Sequence, residues 1–149
     1  MKEVLINLVN NSTFLTVISG VLVFVFSQII MEFVINPKKK YRALKERIAY
    51  TLTLYSCYYM NPYRFDKDEN VRNQSEYDDA SKEVRKIGSE LSGYIGNISK
   101  IRFKKRKRLL EARDCIIGIS NGFYQYPEYS PIKDNRDAEK RIKELLKIK

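Results

Sequence analysis

The sequence predicts an all-α membrane protein: one N-terminal transmembrane helix, then a small cytoplasmic helical bundle, assembled as an oligomer. Three observations lead there. An apolar stretch runs from Thr13 to Ile35, apolar residues then recur at helical spacing, and the two parts of the chain differ sharply in charge.

The apolar stretch comes first. Its 23 residues would form a helix of about 35 Å at roughly 1.5 Å per residue. That is enough to cross a hydrocarbon core of about 30 Å with some tilt. A cleaved signal peptide fits less well, since its apolar region is usually about 7–15 residues and ends at a small-residue cleavage site. Only Lys2 precedes the stretch, whereas Lys38, Lys39, Lys40, Arg42, Lys45 and Arg47 follow it. The positive-inside rule then predicts an extracytoplasmic N-terminus and a cytoplasmic body. The expected division is a transmembrane segment over 1–36 and a basic domain over 37–149.

The span carries polar interruptions. Thr13, Thr16, Gly20 and Ser27 fall on one helical face, with Gln28 and Glu32 one turn apart near the cytoplasmic end. Helices in lipid associate through small residues that allow close approach and through polar contacts. An ionisable group within a span usually faces a bundle interior or water. The stripe therefore suits a homo-oligomer or a pore-lining helix. A lone anchor is the milder reading, because hydroxyls can bond to their own helix backbone.

Pro37 is read as the exit from the span. Tyr41, Leu44, Ile48, Leu52, Tyr55 and Tyr59 then keep helical spacing up to Asn61-Pro62, and residues 61–75 read as a loop. A second body helix is expected to open at Ser75-x-x-Asp78, an approximate capping box. Its apolar face is Tyr77, Ala80, Val84, Ile87, Leu91, Tyr94 and Ile98, while Gly88, Gly93 and Gly96 weaken it. Leu109, Ala112, Ile116, Ile119 and Phe123 mark a third helix. Pro127 and Pro131 mark a loop, and Ala138, Ile142 and Leu145 a terminal helix. No strand is expected, residues 101–103 being the only short extended candidate.

Composition narrows the function. The chain holds 28 Lys+Arg and 18 Asp+Glu, yet residues 1–35 contain only Lys2, Glu3 and Glu32, so the remainder carries a net charge of +11. Such a charge points to an anionic partner: nucleic acid, nucleotide or acidic lipid. With no histidine, His-based triads, metal sites and acid–base chemistry are excluded. Cys57 and Cys115 match no metal-ligand spacing. No catalysis, metal or cofactor is expected.

The strongest ligand signal is KIRFKKRKR, residues 100–108, with seven basic residues in nine. Lys100, Arg102, Lys104, Lys105, Arg106, Lys107, Arg108 and, one turn further, Arg113 would grip phosphate. Phe103 could stack on a base. A nucleotide or oligonucleotide is the favoured ligand. Binding to anionic lipid and a merely solvated charge run are the alternatives.

Several motifs together resemble a group of small bacterial proteins with one N-terminal span and a cytoplasmic helical body. They are SGVLVFVFSQIIMEFVINP, YSCYYMNP, ASKEVRKIGSEL and IIGISNGFY, covering about residues 14–124, with Gln28, Asn61-Pro62 and Ser120-Asn121 carrying most of the likeness. The layout is also similar to membrane effectors of nucleotide-signalled antiphage defence, such as the Hailong membrane subunit. The resemblance implies a bacterial inner-membrane location, four subunits, and a partner nucleotidyltransferase acting through its product. It also implies a pore or ion channel controlled by the ligand. A passive tether or scaffold, binding anionic lipid or a partner protein, is the alternative of a different class.

Overall fold

The structure, a computed structural model, describes residues 12–65, 73–98 and 103–148. Two compact units divide the chain, Met1–Arg42 and Ala43–Lys149. The fold is all-α apart from one minimal strand pairing.

In the first unit, α1 (Ser12–Ile30) passes into a π-helical turn, Met31–Ile35, and then into α2 (Asn36–Leu54). The helix is uninterrupted over the 43 residues from Ser12 to Leu54. Among the described residues it is the one helix long and apolar enough to cross a membrane. No residue of α1 is buried, and Val23, Phe24, Phe26 and Phe33 stand largely exposed. A helix apolar on every side needs a protein core or a bilayer around it.

Pro37 does not interrupt this helix, contrary to the sequence expectation of an exit there. Proline lacks an N–H, and its ring crowds the carbonyl four residues back. The Asn36 N–H bonds to the Met31 carbonyl, five residues back instead of four. That wider turn ends at Ile35, two residues before Pro37, and includes Phe33, whose carbonyl the ring would crowd.

The second unit contains the rest of α2, then α3 (Ser56–Tyr59), β1 (Tyr63–Arg64), α4 (Gln74–Gly96), α5 (Phe103–Asn121), β2 (Tyr124–Gln125) and α6 (Ile132–Leu146). Central α5 packs on α4 on one side and α6 on the other. The core is built mostly from the expected stripes, of which Tyr41, Tyr55 and Ala138 are only half-buried. Leu44, Ile48, Leu52 and Tyr59 are buried, as are Tyr77, Ala80, Val84, Ile87 and Leu91. Leu109, Ala112, Ile116, Ile119 and Phe123 are inaccessible, joined by Ile142, Leu145 and Leu146. Full burial of an Ile or Leu side chain contributes about 1.5–3 kcal/mol. Gly88 is part of this packing: a Cβ there would stand 3.2 Å from Ile117 and 3.3 Å from Ile116. Its helix cost is set against the close approach of α4 to α5.

Four expectations need correction. The α4 stripe ends on Ile95, with Tyr94 and Ile98 only half-buried. A seven-residue repeat drifts by about 20° per heptad on a straight helix, so the buried seam steps one residue along. The N-cap is Asn73, whose side chain accepts from the Ser75 N–H, so no box forms at Ser75. Asp78 instead accepts from the Tyr124 hydroxyl. Finally, two strands do form. Tyr63 and Arg64 pair in parallel with Tyr124 and Gln125, too short to leave a periodic signal. Phe103, at the end of the extended candidate, is helical, and residues 101–102 lie outside the described residues.

Candidate functional site: the basic start of α5

Two sets of side chains were singled out by sequence. The first is the stripe on α1. Thr16 donates to the Ser12 carbonyl at 2.9 Å and Ser27 to the Val23 carbonyl at 2.7 Å, each four residues back on its own helix. With these hydroxyls turned inward, Thr16 and Ser27 contribute small volume rather than free donors. Gly20 has nothing within 4 Å of a Cβ placed on it. Thr13 and Gln28 are exposed on α1, and Glu32 is exposed within the π-helical turn.

The second set opens α5. Phe103 is the first residue of the helix and 71% exposed, and five cations follow in succession, Lys104 to Arg108. Lys100 and Arg102 lie outside the described residues. Five cations at about 100° apart cannot face one ligand together. Lys104, Lys107 and Arg108 share one face by i, i+3, i+4 spacing, with Phe103 at its edge. Arg106 lies on another side, in line with Arg113.

The partners differ as well. Lys105 sits 5.5 Å from the centre of the Tyr94 ring and donates to its hydroxyl at 3.2 Å. That cation is partly committed. Arg113 is bound to its neighbour Asp114, through Nε at 2.9 Å and Nη2 at 2.6 Å. Among the described residues, Lys104, Arg106, Lys107 and Arg108 have no acidic partner, and Arg108 Nε is buried without a hydrogen bond. Lys104 and Arg106 sit in the first turn, at the positive end of a 19-residue helix, each at a cost of about 0.3–1 kcal/mol. An anion placed there would satisfy both the side chains and the helix end.

The other end of α5 was missed by sequence reasoning. Asn135 on α6 is buried, and its amide donates to the Tyr59 carbonyl at 2.8 Å and the Gly122 carbonyl at 2.7 Å. A Cβ on Gly122 would land on the carboxamide oxygen of Asn135, so only glycine admits this approach. Ser81 donates to the Ser120 carbonyl at 2.8 Å, and Arg85 to the Asn121 side chain at 2.5 Å. The Tyr77 hydroxyl donates to the Asn61 carbonyl at 2.8 Å. Asn61 and Ser120-Asn121, prominent in the sequence likeness, thus belong to a structural junction. Burial, followed by the nearby Glu139 carboxylate, pushes the Tyr59 hydroxyl well above its usual pKa. Burial and then Asp78 do the same for Tyr124.

No family model, no curated protein and no solved structure matches this chain. Among the described residues, no cluster of His, Cys, Asp or Glu could hold a metal ion.

Proposed function

We propose that the chain is a single-span membrane effector. Its cytoplasmic body binds a phosphate-bearing ligand, a nucleotide or oligonucleotide, at the start of α5, and binding acts on self-associated spans. Antiphage defence, with the ligand made by a nucleotidyltransferase, is the setting the sequence likeness suggests. One observation carries the ligand reading: a run of cations without acidic partners among the described residues, set on the positive end of a helix. Folding alone gains nothing from that arrangement. A ligand with several phosphates would offset the repulsion, and exposed Phe103 beside Lys104, Lys107 and Arg108 offers a stacking surface for a base.

The span supports the other half of the reading. Gly20, with its small-residue neighbours on one face, permits close helix approach, and single spans sharing one membrane direction assemble with cyclic symmetry. Gly20→Leu should convert the detergent-solubilised oligomer to smaller species in sedimentation. A wild type that is monomeric across concentrations would remove the self-association.

Binding is tested with a fluorescent single-stranded oligonucleotide and, separately, with anionic liposomes free of nucleotide. The wild type should bind the oligonucleotide, and Lys104→Ala, Lys107→Ala, Arg108→Ala combined should weaken it at least tenfold. Removing a cation that neutralises one phosphate should reduce the salt slope by about 0.7 for a single strand. Wild-type binding confined to liposomes would replace this reading with a lipid tether.

A further inference from the structure

A second site lies at the far end of α5. Cys115 and Gly118 on α5, with Tyr129, Asp134 and Ala138 on the segment that follows, line a cavity of ≈ 270 Å³. It exists because three facing positions are small. Ala138 and Gly118 leave the walls open, and Gly122 is held to glycine by Asn135. Nothing lies within 4 Å of a Cβ built on Gly118, so packing does not require glycine there. The volume falls just below the roughly 300–1,000 Å³ typical of pockets for drug-sized ligands, which sets a smaller occupant.

The cavity has two acceptors with room for a donor, while Asn121, also in the lining, already accepts from Arg85 through its side-chain oxygen. Asp134 supplies a carboxylate, oriented by the Tyr129 hydroxyl, which donates to it at 2.5 Å. That bond leaves the second carboxylate oxygen available. Asn135 is 2% exposed and spends its amide hydrogens on Tyr59 and Gly122, while its carboxamide oxygen has no donor among the described residues. The carbonyl end of α5, where the helix dipole is negative, closes the same region. No lining residue is basic, in a chain of net charge +10.

We infer that this cavity binds a small organic cation: a primary ammonium group held by Asp134 and the Asn135 oxygen, with a short apolar body against Gly118, Ala138 and the Cys115 side chain. Charge separates it from the start of α5, which attracts anions.

Cys115 serves as the reporter. Burial, with Glu111 adding to it, raises the thiol pKa, so alkylation of Cys115 is slow enough for a competing ligand to be read. Full-length protein carrying Cys57→Ser, in a non-ionic detergent, is alkylated with and without n-butylammonium, n-butanol and butyrate at matched ionic strength. Butylammonium should bind with a Kd on the order of 1 mM. At ten times Kd it should slow Cys115 alkylation about tenfold by mass action and raise the melting temperature. Butanol and butyrate should do neither. Gly118→Val adds bulk from a Cβ that meets nothing within 4 Å, and Asp134→Asn removes the charge; each should abolish the thermal shift while the protein stays folded. Equal protection by butanol, no protection by butylammonium, or a thermal shift that survives Asp134→Asn would each overturn the assignment.

Discussion

The two ends of α5 are built on opposite terms. At its C-terminal end, the buried Asn135 amide reaches two carbonyls, half-buried Ser81 reaches a third, and at the surface Arg85 meets Asn121. At its N-terminal end, Lys104 and Lys107 are exposed and Arg106 and Arg108 half-buried, all four lacking acidic partners among the described residues, and Arg108 Nε is buried without a hydrogen bond. Leaving a buried carbonyl without its donor costs about 1–3 kcal/mol, so the Tyr59 and Gly122 carbonyls at the first end depend on the Asn135 amide. Exposed cations can remain uncompensated, because solvent screens them. The difference teaches which end holds the fold together and which end is free to recognise something.

The sharpest way to break the comparison is at the junction. Asn135→Ala would leave the Tyr59 and Gly122 carbonyls without their donor and should cost about 2–4 kcal/mol, read by chemical denaturation. Gly122→Ala should also destabilise, by about 1–3 kcal/mol, since the added methyl must displace the Asn135 side chain. A loss under about 0.5 kcal/mol for Asn135→Ala would mean the junction is not what secures the bundle.

A smaller effect tests the link between α2 and α4. Arg47 meets Glu90 through both terminal guanidinium nitrogens, at 2.7 and 2.9 Å, with Arg47 exposed and Glu90 half-buried. Arg47→Ala should cost about 0.2–1 kcal/mol, less at high salt. A loss as large as that of Asn135→Ala would erase the contrast between solvated and buried polar contacts.

The smallest effect concerns pH. Tyr59 and Tyr124 have folded pKa values raised by burial above the unfolded value. Their contribution is complete below about pH 10 and is lost as pH rises above that. The melting temperature should be insensitive to these groups from neutral pH to about pH 9 and fall beyond pH 10. Phe replacement at Tyr124, which loses the bond to Asp78, should flatten part of that fall.

The contrast also explains what could be read from the sequence. Apolar stripes were legible because burial repeats every three or four residues, and α4 and α5 followed theirs closely. The row of cations was legible because charge needs no partner to be visible, although the face shared by Lys104, Lys107 and Arg108 required the helix start at Phe103. Asn135 was not legible. It stands in IKDNRDAEK, where polar residues ordinarily face water, and its role depends on backbone carbonyls 13 and 76 residues away. Asn73 and the two-residue strands were hidden for a similar reason: caps and short pairings carry no period. Pro37 misled because a π-helical turn can carry a helix past a proline.

The most direct test joins the two ends in one measurement: the melting temperature of wild type and of the Lys104→Ala, Lys107→Ala, Arg108→Ala protein, each with and without oligonucleotide. If the start of α5 is arranged for an anion at the expense of the fold, the substituted protein should melt at the same temperature as wild type or higher without ligand. It should then gain nothing on adding oligonucleotide, while the wild type rises. A substituted protein that melts lower without ligand, or that rises with oligonucleotide as much as wild type, would contradict the assignment of this end to recognition.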